Sequence, residues 1–456
     1  MTAYGWTTRL VASALGLPVP TMDHAYAGTC TDTRGAREGE LYVALQGERF
    51  DGHEFLSDAR LAGVWGVVVR PRTPRWPGFD WFEVEDTLVA YGRLARARRD
   101  AFAGPVVAIT GTNGKTSTKE LAAAAIGTSR QVHRSAKNLN NLVGVPQTLL
   151  AMPLEAEAAV IECGANQRGE LARMREIARP DVAVVTNVDA GHLEGFGGID
   201  QVLEEKLSLV AGVATAVVGS RPALLADAAR TAARRVVTVS ATGPADWTAE
   251  EVRLLADGRA RFRVRGALVE LPVPGRHQVE NALAALAVAD ALGVPLADAA
   301  RGLAAAALPY GRTAVLEIGG VTVIDDTYNA NPPSVAAALD LLQALRGDRR
   351  VVVVLGTMRE LGATAADFHA AAAEHAATLR PAVIAAIGDF APAFRALGEH
   401  PGGAELLTGA APGDVAARLK ESLRPGDIVL FKASRGVRLE QLFPILWPSY
   451  GGREAH

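Results

Sequence analysis

The sequence predicts an α/β protein of three domains, and three observations carry that prediction. The chain has 456 residues, and at roughly 100–200 residues per domain it divides into two to four cores. From Gly104 short apolar runs alternate with helical stretches, as in "PVVAIT", "AAVIECG" and "DVAVVTNV". A second series of the same kind begins near Thr313 with "VTVIDD", "VVVVLG", "AVIAAIG" and "DIVLFKA". Short buried strands separated by helices imply parallel sheets covered on both faces.

The elements follow in chain order. "MTAYGWTTRLVASALGLPVP" reads as a short helix rather than a signal peptide, because its apolar run is broken and no convincing cleavage site follows. Within residues 1–100, "GELYVAL", "GERFDGHEFL" and "LAGVWGVVVR" read as strand, polar turn with helix start, and strand, and Arg70 to Asp80 as a Pro-rich surface loop. "RLARARRD", Arg93 to Asp100, reads as a solvated helix face near a domain junction. Pro222 to Leu271 is less regular, with an antiparallel pair turned at Asp257-Gly258 and an Ala-rich helix after "GRHQVEN".

Composition excludes several classes. The chain is 49% hydrophobic and 21% charged with net charge −3, values of a soluble globular protein without a nucleic-acid or membrane-surface patch. No uncharged apolar run reaches the ~18 residues of a membrane span. Two cysteines, Cys30 and Cys163, give neither a disulfide framework nor a zinc spacing, which fits a reducing cytoplasm. A cytoplasmic monomer acting on small molecules is the expectation.

The decisive stretch is "GPVVAITGTNGKTSTKE", Gly104 to Glu120. It ends as a phosphate-binding loop ends, yet Ile109 stands where G-x-x-x-x-G-K-[ST] has its first glycine. A strand runs into a turn containing Gly111 and Gly114, and a helix starts at Lys115. Converging N–H groups and the helix N-terminus favour an anion there. Lys115 would reach outer phosphates and the Thr116 hydroxyl would bind Mg²⁺; a plain βα turn is the alternative. Further along, Glu162 ends a strand, His192 follows the next one, and Lys206 comes fourteen residues later in "VLEEKLSLV". Singly these read equally well as a helix cap, a surface histidine and a solvated lysine. Together they occupy successive strand ends of one βα domain, where a parallel sheet presents its functional groups.

"TGTNGKTST", "NLNNLVGVPQTLL", "ECGAN", "TNVDAGHLEGFG" and "DDTYNANPPS" together resemble the Mur ligases, the ATP-dependent amide-forming enzymes of peptidoglycan synthesis, whose phosphate loop lacks the early glycine. The resemblance extends to "TDTRGAREGELYVALQGERFDGHEF" in the first domain. It implies a uridine-nucleotide-binding domain at residues 1–100, a central ATPase domain at 101–311, and a Rossmann-like domain at 312–456 that binds the amine substrate and closes on ATP. Hinges are expected near residues 100–104 and 311–313. "GERFDGH", "HLEGFG", "YNANP" and the "LGxMxELG" element at Leu355 to Gly362 resemble the member that adds D-alanyl-D-alanine to UDP-N-acetylmuramoyl-tripeptide.

The resemblance also implies residue roles, with ATP and Mg²⁺ as cofactors. Gly111, Thr112, Asn113, Gly114, Lys115, Thr116 and Ser117 hold the ATP phosphates; Asn281 reads adenine; Arg312 and Asp326 reach ATP from the third domain. Thr116 and Glu162 hold one Mg²⁺, and His192 with Lys206, a lysine carbamylated in relatives, lies by a second. Asp32, Thr33, Arg34, Arg49, Asp51 and His53 are expected to bind the uridine diphosphate and tripeptide, with Asn140 and Asn141 also on the substrate side. Tyr328, Asn329 and Asn331 face the amine substrate, and Lys432, Ser434 and Arg435 the dipeptide carboxylate. Arg312 as a hinge salt bridge, and Asn329 and Asn331 as turn residues, are the structural alternatives. Thr357 stands in "LGTMRELG" where an aspartate is expected.

The other readings are a ligase adding a single amino acid, a folylpolyglutamate synthase, and a nucleotide-dependent binding protein without catalysis. A folylpolyglutamate synthase would lack the first domain, and binding alone would not need the second metal site. No G-x-G-x-x-G opens a helix after a strand, which disfavours a dinucleotide-dependent dehydrogenase.

Overall fold

Val106–Thr110 is buried throughout and occupies the middle of the largest sheet, as its unbroken apolar run requires. The computed structural model describes residues 5–191, 193–309 and 311–449. The central sheet is parallel, in the order Trp247–Thr248, Val236–Ser240, Thr215–Val218, Val182–Val185, Val106–Thr110, Ala158–Glu162 and Val132–Arg134. Strand order reverses on either side of Val106–Thr110, so its C-terminal end opens a crevice where ligands bind in such sheets. Register sets the neighbours of that crevice: Ile109 pairs with Glu162, and Thr110 with Val185.

The other two sheets flank this one in sequence. Thr29–Cys30, Leu41–Val43, Gly66–Val69 and Asp80–Glu83 form a parallel sheet before it. After it comes a sheet in the order Ala314–Ile318, Val321–Asp326, Ile428–Lys432, Val351–Gly356, Val383–Ile387 and Glu405–Gly409, with only the first strand antiparallel. Helices cover both faces of the two larger sheets, whose opposite faces bury separate apolar clusters. The molecule is thus the three-domain α/β protein that the sequence predicts.

Two regions depart from the sequence reading. Pro222 to Leu271 contains more order than its composition suggests: a helix at Leu225–Ala232 and two strands extend the central sheet, and Ala267–Pro274 adds a third strand to the antiparallel pair. Strand Val236–Ser240 lies near the sheet edge and is only partly buried, so its sequence carries no long apolar run. Apart from its exposed ends, Arg93 and Asp100, the arginine run is not a solvated face. Helix Thr87–Asp100 lays it against the central domain, where Arg98, 2% exposed, donates to the Met152 carbonyl. Arg96 donates to the Glu176 carbonyl, and Arg99 to the Ala178 carbonyl and the Asp181 carboxylate. The first junction is therefore braced by guanidinium groups that donate to backbone carbonyls of the central domain.

Candidate active site

The turn after Val106–Thr110 is shaped by its glycine. Gly114 caps helix Lys115–Ile126 with φ 81°, a left-handed conformation that costs a residue with Cβ energy, and a Cβ there would meet Asn281 Oδ1 at 2.2 Å. The neighbouring strand end fixes the rest of the loop: Thr112 N–H donates to the Asn187 carbonyl at 3.0 Å and Asn113 N–H to Asn187 Oδ1 at 3.0 Å. The helix N-terminus is left pointing into a cavity of about 590 Å³, lined by Asn113 to Ser117, Asn140, Asn141 and Glu162 on one side, and by Arg312, Asp326, Tyr328, Asn329, Lys432 and Arg435 on the other.

Lys115 folds back over the loop, donating to the carbonyls of Gly111 (2.8 Å) and Thr112 (3.0 Å). Burial pushes its ammonium down to about 8, with the Glu162 charge opposing and the Arg312 charge adding. Glu162, 2% exposed, is held from every side. Thr116 Oγ1 donates to its Oε2 at 2.8 Å, Asn140 Nδ2 to its Oε1 at 2.9 Å, and its own N–H donates to Ser135 Oγ. Lys119, with a 1% exposed side chain, lies 3.8 Å from Glu162 Oε2 and 2.9 Å from Glu120 Oε1, and donates to the Ser135 carbonyl. The sequence reading missed Lys119, although a lysine four positions after Lys115 on a helix lies on the same face.

Other expected residues are placed as follows. Lys206 is 2% exposed, 5.8 Å from the Phe196 ring, and burial with the neighbouring Lys115 charge pushes it down to about 7. His192 lies outside the described residues. Asn281 lines the cavity while its amide is engaged, accepting from Thr118 Oγ1 and donating to Gln278 Oε1 at 2.9 Å. Arg312 stacks on Tyr328 at 4.0 Å rather than forming the hinge salt bridge considered above. Asn331 caps helix Pro332–Leu345 and also donates to Asn113 Oδ1 at 2.8 Å, tying the third domain to the phosphate loop. Asn141 Oδ1 accepts the N–H groups of Val143 and Gly144 at the start of helix Gly144–Leu150.

Three expectations for the third domain change. Lys432 is 2% exposed, ion-paired with Asp326 and donating to the Asn329 carbonyl, so it is a strut of the site and not a free cation for a carboxylate. Asp326 in turn accepts from Thr313 N–H at 3.1 Å, beside Arg312. Ser434, 4% exposed, accepts from Arg359 N–H at 2.9 Å and donates to the Ala330 carbonyl, while Arg435 pairs with Glu440. Thr357 Oγ1 accepts the N–H of Asp389 at 2.9 Å, bracing the next strand-end turn.

In the first domain Asp51 is the organising residue. It caps the short helix Gly52–Phe55, pairs with His53 Nδ1 at 2.6 Å, and pairs with Arg70, a residue the sequence reading left in a loop. Arg49 is exposed, and Asp32, which caps the turn Thr33–Gly35, pairs with Arg34. None of Asp32, Thr33, Arg34, Arg49, Asp51 or His53 lines the large cavity.

Known proteins share this arrangement. Residues 109–289 match the Mur ligase middle domain and residues 311–435 match the Mur ligase glutamate ligase domain. The UDP-N-acetylmuramoyl-tripeptide--D-alanyl-D-alanine ligase of Bacillus subtilis is 34% identical over 427 residues, 91% of this chain and 92% of that one. A crystal structure of MurF from Acinetobacter baumannii superposes with a TM-score of 0.88 at 31% identity, covering 98% of this chain and 99% of that one. MurF from Thermotoga maritima, solved in complex with ADP, superposes with a TM-score of 0.81 at 29% identity, covering 92% and 96%. By motif, fold and likeness along nearly its whole length, the chain belongs to the Mur ligase family, in its MurF branch.

Proposed function

We propose that this chain is an ATP-dependent ligase joining UDP-N-acetylmuramoyl-tripeptide to D-alanyl-D-alanine, with release of ADP and phosphate, in the making of a peptidoglycan precursor. The observation that carries the reading is a single cavity bringing the phosphate loop and the Thr116–Glu162 pair face to face with Arg312 and Asp326. The tripeptide carboxylate attacks the γ-phosphorus of ATP, giving an acyl phosphate and ADP; the dipeptide amine then displaces phosphate. Two anions must meet in the first step, so the residues around them must neutralise charge. Lys115 does this by exchanging its two loop carbonyls for phosphate oxygens, and Arg312 adds a second positive charge from the third domain.

Thr116 and Glu162 fit Mg²⁺, because a hydroxyl and a carboxylate 2.8 Å apart are hard oxygen donors. Thr116 and Glu162 would hold the cation against the nucleotide phosphates, with hard oxygen donors of the kind Mg²⁺ prefers. When bound, Mg²⁺ neutralises the phosphates. Lys206, favoured as a neutral amine by burial, is suited to carbamylation, which would convert it into an oxygen ligand. Residues 1–100 would bind the UDP-linked peptide through Asp32, Thr33, Arg34, Arg49, Asp51 and His53; 101–311 would bind ATP, with Asn281 near adenine; and 312–456 would bind the dipeptide. A cytoplasmic location agrees with two free thiols, Cys30 and Cys163, and a monomer is part of the same proposal. The folate reading leaves the sheet of the first domain without a ligand.

Phosphate release measured with ATP, Mg²⁺ and each peptide substrate separately tests this reading. Release is expected only with both UDP-N-acetylmuramoyl-tripeptide and D-alanyl-D-alanine present, and is expected to stop on chelation of the cation. Equal release without the dipeptide would contradict it.

A further inference from the structure

A second, smaller cavity of about 160 Å³ adjoins the ATP cavity, lined by Gly191, Arg359, Glu360, Ser434, Gly436 and the segment Asn329 to Asn331, with Arg435. That is the room of about five waters at their liquid volume, a space for a small ligand. Among the described residues its lining holds one carboxylate, Glu360, and two guanidinium groups, Arg359 and Arg435, the second of them paired with Glu440. Such a set complements a small zwitterion, with an ammonium at one end and a carboxylate at the other. The two cavities also share Asn329, Glu360 and Arg435, whereas Arg359 lines the small one alone. The shared wall gives the ligand a direction: its ammonium toward the phosphates, its carboxylate away from them.

The segment that carries Glu360 is constructed to hold it there. Glu360 has φ 64°, a left-handed backbone that glutamate rarely adopts and that folded proteins retain where surrounding contacts enforce it. Three elements supply those contacts. Met358 N–H donates to Nε2 of buried His369 at 2.9 Å, Arg359 N–H to Ser434 Oγ at 2.9 Å, and the Glu360 carbonyl accepts Glu194 N–H from the central domain at 3.4 Å. "LGTMRELG" is thus a braced turn that presents Arg359 and Glu360 side by side.

We infer that Glu360 binds the ammonium of the incoming D-alanyl-D-alanine and takes its proton, and that Arg359 binds its carboxylate. The inference rests on the ligase reading and deepens it. An ammonium has no lone pair, so the amine must lose one proton before it attacks. That proton passes to Glu360; the freed amine forms the C–N bond at the acyl carbon; the C–O bond to phosphate breaks; and the second proton leaves with phosphate as HPO₄²⁻. A general base of this kind contributes about 10²–10⁴-fold.

Hydroxylamine separates this role from every earlier one, because it is neutral and intercepts the acyl phosphate without ammonium binding or a base. With ATP, Mg²⁺ and UDP-N-acetylmuramoyl-tripeptide, Glu360→Gln is expected to lose dipeptide coupling by about 100-fold or more while still forming hydroxamate, and Glu360→Asp to recover part of the coupling. Arg359→Met is expected to raise the dipeptide KM by about tenfold with a smaller change in kcat. Dipeptide coupling by Glu360→Gln within about threefold of the unaltered enzyme would overturn the inference, as would equal loss of coupling and hydroxamate. An unaltered enzyme that forms neither product would instead overturn the ligase reading beneath it.

Discussion

Replacing Lys115 by methionine is expected to cut phosphate release by about 10²–10³-fold, or ~3–4 kcal/mol in the barrier. Methionine keeps most of the stem and removes the ammonium. Among the described residues that ammonium donates to the Gly111 and Thr112 carbonyls, and both belong to the loop that receives the phosphates. Its absence leaves the loop backbone held by Asn187 and the Gly114 turn, so melting is expected to change little. The helix N-terminus and Arg312 remain, which is why nucleotide binding is expected to weaken less than turnover falls. Steady-state phosphate release at saturating substrates, with melting as the folding control, makes the comparison. A loss below tenfold would remove Lys115 from its role.

Lys119→Met is expected to have the largest effect on stability, about 3–5 kcal/mol, because removal of one partner strands a buried charge. The stranded group is Glu162, whose Oε2 lies 3.8 Å from Nζ; Glu120, 2.9 Å from Nζ through Oε1, keeps Arg134 Nε at 2.8 Å on Oε2. The Ser135 carbonyl also loses its donor, and Ser135 Oγ is the acceptor for the Glu162 N–H. Stability and site are therefore coupled through one ammonium. Adding Glu162→Gln removes the stranded charge, so the double variant is expected to be more stable than the sum of the single losses implies. Chemical denaturation of the four proteins in the cycle measures this. Simple additivity would show that Lys119 does not sense Glu162.

The sequence made the strand ends legible because a parallel sheet announces itself in short apolar runs, and a ligand site must lie where those runs stop. Gly114, Lys115, Thr116 and Glu162 were found that way, whereas Asp326 came from the family resemblance of "DDTYNANPPS". Residues whose role depends on a partner far along the chain were hidden. Asn331 reads as a turn residue until it is seen against Asn113. The arginines of helix Thr87–Asp100 read as solvated until carbonyls of the central domain are seen in front of them. Lys432 looked like a free cation because nothing local in "KASRG" reveals that Asp326 lies beside it on the neighbouring strand, where the two residues are register partners. Glu360 stood in a motif already singled out, yet its meaning came only from the two cavities it separates.

The central claim is that the peptide carboxylate is phosphorylated before the amine attacks, and oxygen transfer tests it most directly. UDP-N-acetylmuramoyl-tripeptide labelled with ¹⁸O in its terminal carboxylate is turned over with ATP, Mg²⁺ and D-alanyl-D-alanine, and the released phosphate is examined by ³¹P NMR. An acyl-phosphate route places one labelled oxygen from the carboxylate in each phosphate. Unlabelled phosphate formed alongside the amide product would contradict the account, because the carboxylate oxygen would then never have been bonded to phosphorus.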